Sequence, residues 1–170
     1  MNIDKVYKYC PRCSASLENL ISHLKCNQCG LNFYLNPKPC TAIILQNELD
    51  EYLFVERAVE PKKGYWDFPG GFTERNENSE KSIKREVKEE IDIEIEDLKY
   101  IGSATDMYLY QEIGYDVLCS FYTGKVPKDA VLKPQDDVAS YKYFKLEDFP
   151  LDKLSFPSMN VAIQMITKRF

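Results

Sequence analysis

The chain has 170 residues, 44% of them apolar and 13% aromatic, enough to bury one ordinary core with a small appendage, which excludes disordered, collagen-like and low-complexity classes. Its net charge of -5 supplies no whole-protein field for nucleic acid or an anionic membrane, so an anionic phosphate substrate would need metal ions to offset repulsion. No apolar run approaches the roughly 18 residues that span a bilayer and none follows the first charges of MNIDKVYKYC, so the expectation is a cytoplasmic protein with no membrane partner.

Residues 1–36 are dominated by two cysteine pairs, Cys10-Pro-Arg-Cys13 and Cys26-Asn-Gln-Cys29-Gly30, separated by twelve residues. That spacing lets two knuckles each give two thiolates to one tetrahedral zinc. A segment this short has too little core to fold on apolar burial alone, so ligation is expected to supply most of its stability. Four protein ligands leave no position for a catalytic water, which makes the zinc structural. His23 lies outside both pairs. Lys5, Lys8, Arg12 and Lys25 against Asp4 and Glu18 give this segment a side-chain charge of +2, which a zinc tetrathiolate of about -2 cancels. The balance argues against a phosphate-backbone interface and leaves a spacer, a homodimerisation element or a wall beside the substrate. Cys40 and Cys119, in apolar contexts, read as buried inert thiols.

Asn36-Pro37-Lys38-Pro39 is a stiff junction, and residues 37–170 form the second domain. Thr41–Gln46 reads as a buried strand and Tyr52–Arg57 as its hairpin partner across the NELD turn. A Gly- and Pro-rich loop from Glu60 to Asn78 leads into a helix over Ser79–Ile91. Further strands are expected near Tyr100–Ala104, Asp116–Lys125 and Tyr141–Leu146, then an amphipathic helix over Ser158–Lys168. The fold class is α/β, a mixed sheet with helices packed on its faces.

The helix carries the most chemistry. Glu86 and Glu90 are four residues apart and share a face with Glu89, while Ile83, Val87 and Ile91 recur every four residues on the opposite side. Like charges at this spacing repel unless a cation sits between them. The preceding Gly70 and Gly71 allow backbone geometry closed to other residues and can offer carbonyls to an ion, and Glu77 adds a carboxylate at the helix start.

Gly71, Glu77, Arg85, Glu86, Val87, Glu89, Glu90 and Ile93 stand at the spacings of the Nudix box, after a family-like GYWDFPG at Gly64–Gly70. The second domain therefore resembles the Nudix hydrolases through most of residues 39–150, with only Asp92 replacing the box's last Gly. The resemblance implies a Nudix-type mixed sheet sandwiched by helices, preceded here by the zinc ribbon. It implies that Glu86, Glu89 and Glu90, with a carbonyl of Gly70 or Gly71, hold magnesium or manganese, that Arg85 orients the carboxylates, and that Glu77 supports the loop or an outer metal. Glu89 and Asp137 are both candidates for the general base.

The implied reaction is cleavage of a diphosphate linkage in a small nucleotide substrate such as ADP-ribose, NADH or a dinucleotide. A ribbon upstream also resembles the NADH pyrophosphatase branch, whose SQPWPFP-type motif is replaced here by SATDMYLYQEIGYDVLCSFY. Tyr108, Tyr110 and Tyr115, around a turn expected at Gly114, and Trp66 and Phe68 beside the box could stack on a base, and Arg57 could pair with a phosphate. The alternative is a nucleotide sensor or nucleic-acid-binding module on a Nudix scaffold, which could dispense with the metal-binding acids; all of them are present.

Overall fold

The computed structural model describes residues 5–20 and 23–167. The chain divides into two compact units, Met1–Pro37 with Met107–Asp116, and Lys38–Asp106 with Val117–Phe170. The sequence places no helix long and apolar enough to cross a membrane among the described residues.

In the first unit, β1 (Leu17–Asn19), β2 (Leu24–Cys26) and β3 (Asn32–Phe33) make an antiparallel sheet in that order. Leu24 is its buried apolar residue, and Tyr7 sets its ring edge against Phe33 at 5.2 Å. So small a core needs another source of stability. Each cysteine pair closes a tight knuckle: the Ser14 amide donates to the Cys10 carbonyl and the Gly30 amide to the Cys26 carbonyl, with Ser14 and Gly30 both left-handed.

The second unit is built on β4 (Lys38–Gln46), β5 (Tyr52–Arg57), β10 (Val138–Phe144) and the larger parts of β8 (Lys99–Tyr110) and β9 (Ile113–Lys125), whose residues 107–110 and 113–116 fall in the first unit, in the order β10-β5-β4-β9-β8. β4 runs parallel to β9 along its whole length and meets β5 only at Gln46↔Tyr52. Beyond that point the hairpin partners part, and two short strands from the expected loop fill the gap. β6 (Trp66–Asp67) pairs with β5, and β7 (Gly70–Phe72) pairs with β4. The Gly-rich segment is thus fixed in the sheet by backbone hydrogen bonds, a correction to its reading as a loop from Glu60 to Asn78.

Alternate residues of β4 face opposite layers. Ile43 and Leu45 pack with Ile83, Val87 and Ile91 of α1 (Ser79–Ile91), while Ala42 and Ile44 pack with Met159, Ala162 and Ile163 of α2 (Pro157–Thr167). Buried faces on both sides explain why β4 reads as a continuous apolar run. α1 starts on Asn78, whose side chain accepts from the Lys81 amide at 2.9 Å, and ends on left-handed Asp92. α2 begins where Asp106 accepts from the Ser158 amide at 2.7 Å. The expected Lys168 lies outside the described residues.

β8 and β9 are longer than their sequence suggests, and they turn at Gln111 and Glu112, both with positive φ, instead of at Gly114, which lies within β9. Two left-handed residues match the tight hairpin turn whose twist suits the flanking strands. Neither residue advertises that geometry, which explains the misplaced turn.

Candidate functional site

The box residues of the second unit converge on Arg85. Its Nε donates to Glu77 Oε1 at 2.7 Å, its Nη1 to Glu86 Oε1 at 2.9 Å and Glu89 Oε2 at 2.8 Å, and its Nη2 to the Phe72 carbonyl at 3.1 Å. One guanidinium therefore ties the start of α1, its middle and the end of β7 together. Its planar fork is suited to this work in a way a lysine ammonium is not. Arg85 is made still harder to deprotonate, chiefly by Glu77, and in return holds the Glu77 carboxyl below its usual range.

Glu86 and Glu90 sit differently. Glu90 is only 7% exposed and takes a hydrogen bond from the Gly70 amide at 2.9 Å. Burial raises its proton affinity well above that of an ordinary glutamate, against the pull of the Gly70 amide, and the nearby charges of Asp67 and Glu86 push the same way. Glu86 is also raised by burial, against Arg85. The Glu86 carboxyl lies so close to the loop that a Cβ on Gly71 would meet it at 2.7 Å. Gly70 has φ +148 and its missing Cβ would collide with the Thr41 carbonyl, so its backbone path requires glycine.

Two carboxylates with raised proton affinity, one buried and one partly buried, set against a glycine backbone and offering only oxygen donors, suit a hard divalent cation. Its charge would relieve the repulsion that Arg85 leaves uncompensated. Glu89 stands at the exposed edge of the same face, its side chain 49% exposed.

Asp92, the departure from the box, has φ 56 and ψ 34 and closes the helix through its amide to the Lys88 carbonyl at 3.1 Å. Its carboxylate bridges Lys88 at 2.7 Å and Lys133 at 2.8 Å, and these two ammonium groups, Lys133 foremost, pull its pKa down to about 2. The left-handed position usually taken by Gly is here kept by an acid with two cationic partners. The next segment docks on the same helix end, with the Gln135 amide donating to the Glu90 carbonyl at 2.8 Å and Lys133 to the Ile91 carbonyl at 3.1 Å. Asp137 follows two residues later, exposed, its own carbonyl accepting from Ala58 at 2.7 Å.

Sequence reasoning missed Asp67. It is buried between Arg57 and the carboxylate face, and burial raises its proton affinity against the nearby Arg57. The Arg57 guanidinium, 13% exposed, reaches Asp67 at 3.4 Å, the Pro61 carbonyl at 2.8 Å and the face of Phe156 at 5.4 Å. These contacts hold Arg57 inside the fold, so the expected phosphate pairing would require it to leave them. Phe68 is 2% exposed and packs 4.8 Å from Phe54; its ring belongs to the core and is not presented to a substrate. Trp66 is partly buried, edge-on to Phe144 at 5.4 Å. Tyr108, Tyr110 and Tyr115 lie in the first unit, with Tyr110 47% exposed and 6.4 Å from Tyr108 between ring centres. A cavity of about 410 Å³ lined by Ile44, Gln46, Lys99, Ile101, Lys125 and Ile166 opens at the far end of β4 from the segment that pairs with Gly70 and Gly71.

In the first unit, the sulfurs of Cys10, Cys13, Cys26 and Cys29 all lie within 4.8 Å of one another. Cys10 and Cys29 are 3.6 Å apart and Cys13 and Cys26 3.5 Å, close to the roughly 3.8 Å edge of a tetrahedron with zinc–sulfur bonds of about 2.3 Å. The Arg12 and Cys29 amides point at Cys10 and Cys26 sulfurs, and the Cys29 amide foremost pulls the Cys26 thiol down to about 6. The donor set fits zinc. His23 instead rests against Tyr34, 5.1 Å between rings.

Comparison with known proteins gives the same picture. The NUDIX domain model matches residues 36–163. The NAD-capped RNA hydrolase NudC of Pseudomonas aeruginosa is 26% identical over 145 residues, which are 84% of this chain and 49% of that protein. The NudC of Vibrio vulnificus is 22% identical over 153 residues, 88% of this chain and 55% of its own. The chain thus spans about half the length of the curated relatives it matches. Among solved structures, a NUDIX hydrolase from Nitrosomonas europaea superimposes with a TM-score of 0.72 at 21% identity, covering 95% of this chain and 92% of its own. The NUDIX domain of Shewanella oneidensis NrtR, complexed with ADP ribose, gives a TM-score of 0.65 at 20% identity over 79% of this chain and 88% of that one. These two likenesses establish the fold. With a family model spanning most of its length, and with Glu77, Glu86 and Glu89 of the box gathered on Arg85, the chain belongs to the Nudix family.

Proposed function

We propose that this chain hydrolyses the diphosphate linkage of a nucleoside diphosphate joined to a second moiety, using magnesium or manganese held by Glu86, Glu89, Glu90 and a carbonyl of Gly70 or Gly71. The observation that supports this most strongly is the convergence of three box carboxylates, Glu90 held by the Gly70 amide and Glu86 and Glu89 by the Arg85 guanidinium. When bound, such an ion neutralises diphosphate oxygens and makes a coordinated water acidic enough to attack phosphorus.

The chain's own residues supply the rest. Glu90 and Glu86 are fixed by the Gly70 amide and by Arg85, so little reorganisation is needed at the moment of reaction. Glu77 sets the loop by accepting from the Glu74 amide at 2.9 Å as well as from Arg85. Glu89 and exposed Asp137 are the two candidates to take the proton of the attacking water. Zinc on the four ribbon cysteines is structural.

The linkage is common to ADP-ribose, NADH, dinucleotides and the NAD cap named for the Pseudomonas and Vibrio relatives. Retention of every acid of the box favours catalysis over a sensor role. Each of these compounds, incubated with the protein and magnesium or manganese and analysed by mass, is expected to yield paired monophosphates for at least one substrate. Absence of cleavage for all of them with both ions would refute the reading. Tyr110, 47% exposed, keeps its expected role of stacking on a base, and Tyr110→Ala is expected to raise KM several-fold while largely sparing kcat. Unchanged kinetics would assign it to the surface.

A further inference from the structure

Cys40 and Cys119 belong to neither metal set. Cys40 lies in β4 and Cys119 in β9, and the parallel register makes the two residues direct partners. Neighbouring strands run about 4.8 Å apart, inside the roughly 4.4–6.8 Å between Cα atoms that a disulfide accepts. Both side chains join the core cluster on the α2 face, Cys119 at 7% exposure and Cys40 partly buried. The two side chains stand on the same face of neighbouring strands, and both thiols are reduced. A single cysteine, once oxidised to the sulfenic acid, has no second thiol beside it to form a disulfide. Two thiols on paired positions differ: the second sulfur can attack the first once it is oxidised.

From this juxtaposition we propose that Cys40 and Cys119 are a redox-active dithiol, separate from the zinc cysteines, which a hydroperoxide converts to a disulfide joining β4 to β9. Cys40 is the more exposed and reacts first. Its sulfur attacks one peroxide oxygen, the O–O bond breaks, and the departing oxygen leaves as water (or alcohol) carrying the thiol proton, with Cys40 left as the sulfenic acid. The Cys119 sulfur then attacks the Cys40 sulfur, the S–O bond breaks, and the hydroxyl departs with the Cys119 proton as a second molecule of water. The two thiols lose two electrons and two protons, and the peroxide is reduced. The neighbouring Cys40 thiol and burial both raise the Cys119 thiol, so the more exposed Cys40 is oxidised first and Cys119 is the resolving partner. Cys40 also faces Phe72 of β7, with Thr41↔Gly71 and Ala42↔Gly70 the next pairs, so the bond would form on the strand that carries the glycine loop.

The whole chain, zinc-loaded, is treated with a small molar excess of hydrogen peroxide, alkylated, digested without reductant and mapped by mass spectrometry. The expected product is a peptide pair joined through Cys40 and Cys119, lighter by two hydrogens than the separate thiols and released by dithiothreitol. Cys119→Ser should lose the link and accumulate Cys40 sulfenic acid, trapped by dimedone. Recovery of Cys40 and Cys119 as separately alkylated peptides while Cys10, Cys13, Cys26 or Cys29 is oxidised would overturn the proposal. So would conversion of Cys40 to sulfinic acid with no cross-link.

Discussion

The carboxyl of Glu90 is buried and accepts from the Gly70 amide, with no cationic side chain in hydrogen-bonding contact among the described residues. Its raised proton affinity, like that of Glu86, has a definite sign for stability. Such an acid favours the fold fully below its unfolded pKa of about 4.3, and that contribution is lost as pH rises through the raised folded value. In the zinc-loaded protein without magnesium or manganese, this contribution should therefore weaken toward neutral pH, whereas those of Glu77 and Asp92, whose values are lowered, are retained there. Glu90→Gln is expected to melt at or above the wild-type temperature at neutral pH, and to gain less than wild type when the ion is added. Thermal melts with and without magnesium check this; a lower melt and an equal gain would contradict it. The two glycines separate geometry from stability. Gly71→Ala places a methyl group against the Glu86 carboxyl, the far end of a flexible side chain, and is expected to cost at least tenfold in turnover with little loss of stability. Gly70→Ala drives a methyl into the backbone of β4 and should lower yield and melting temperature. Equal behaviour of the two variants would argue against this geometry.

Among the elements, α1 was legible because its apolar face recurs every four residues and its acids stand opposite. β4 and β5 were legible as apolar runs. β6 and β7 were hidden: Trp66–Asp67 and Gly70–Phe72 are too short to show alternation, and a glycine pair signals a turn when no partner strand is in view. The same limit hid Asp67, whose importance comes from burial beside Arg57, and it gave Phe68 a surface role although its ring packs against Phe54. The ribbon was legible from spacing alone, since chemistry fixes its four ligands. Purified protein is expected to carry about one zinc per chain, and the Cys10→Ser/Cys26→Ser double variant to lose it along with the ribbon's fold. Elemental analysis with circular dichroism settles this: full zinc occupancy in the double variant would place the metal elsewhere.

For the molecule as a whole, the division of labour is between a sheet covered on both faces, which holds the carboxylate helix rigid, and a zinc-sized sulfur cluster that stabilises a segment too small for a core. The central claim is that Glu86, Glu89 and Glu90 perform metal-dependent cleavage of a diphosphate linkage. Its most direct test compares turnover of ADP-ribose and NADH by wild type and Glu86→Gln, side by side with saturating magnesium or manganese and matched circular dichroism. Wild type is expected to release monophosphates only in the presence of the ion, and the folded variant to lose at least about a hundredfold in turnover. Turnover by Glu86→Gln equal to that of wild type under saturating metal would contradict it.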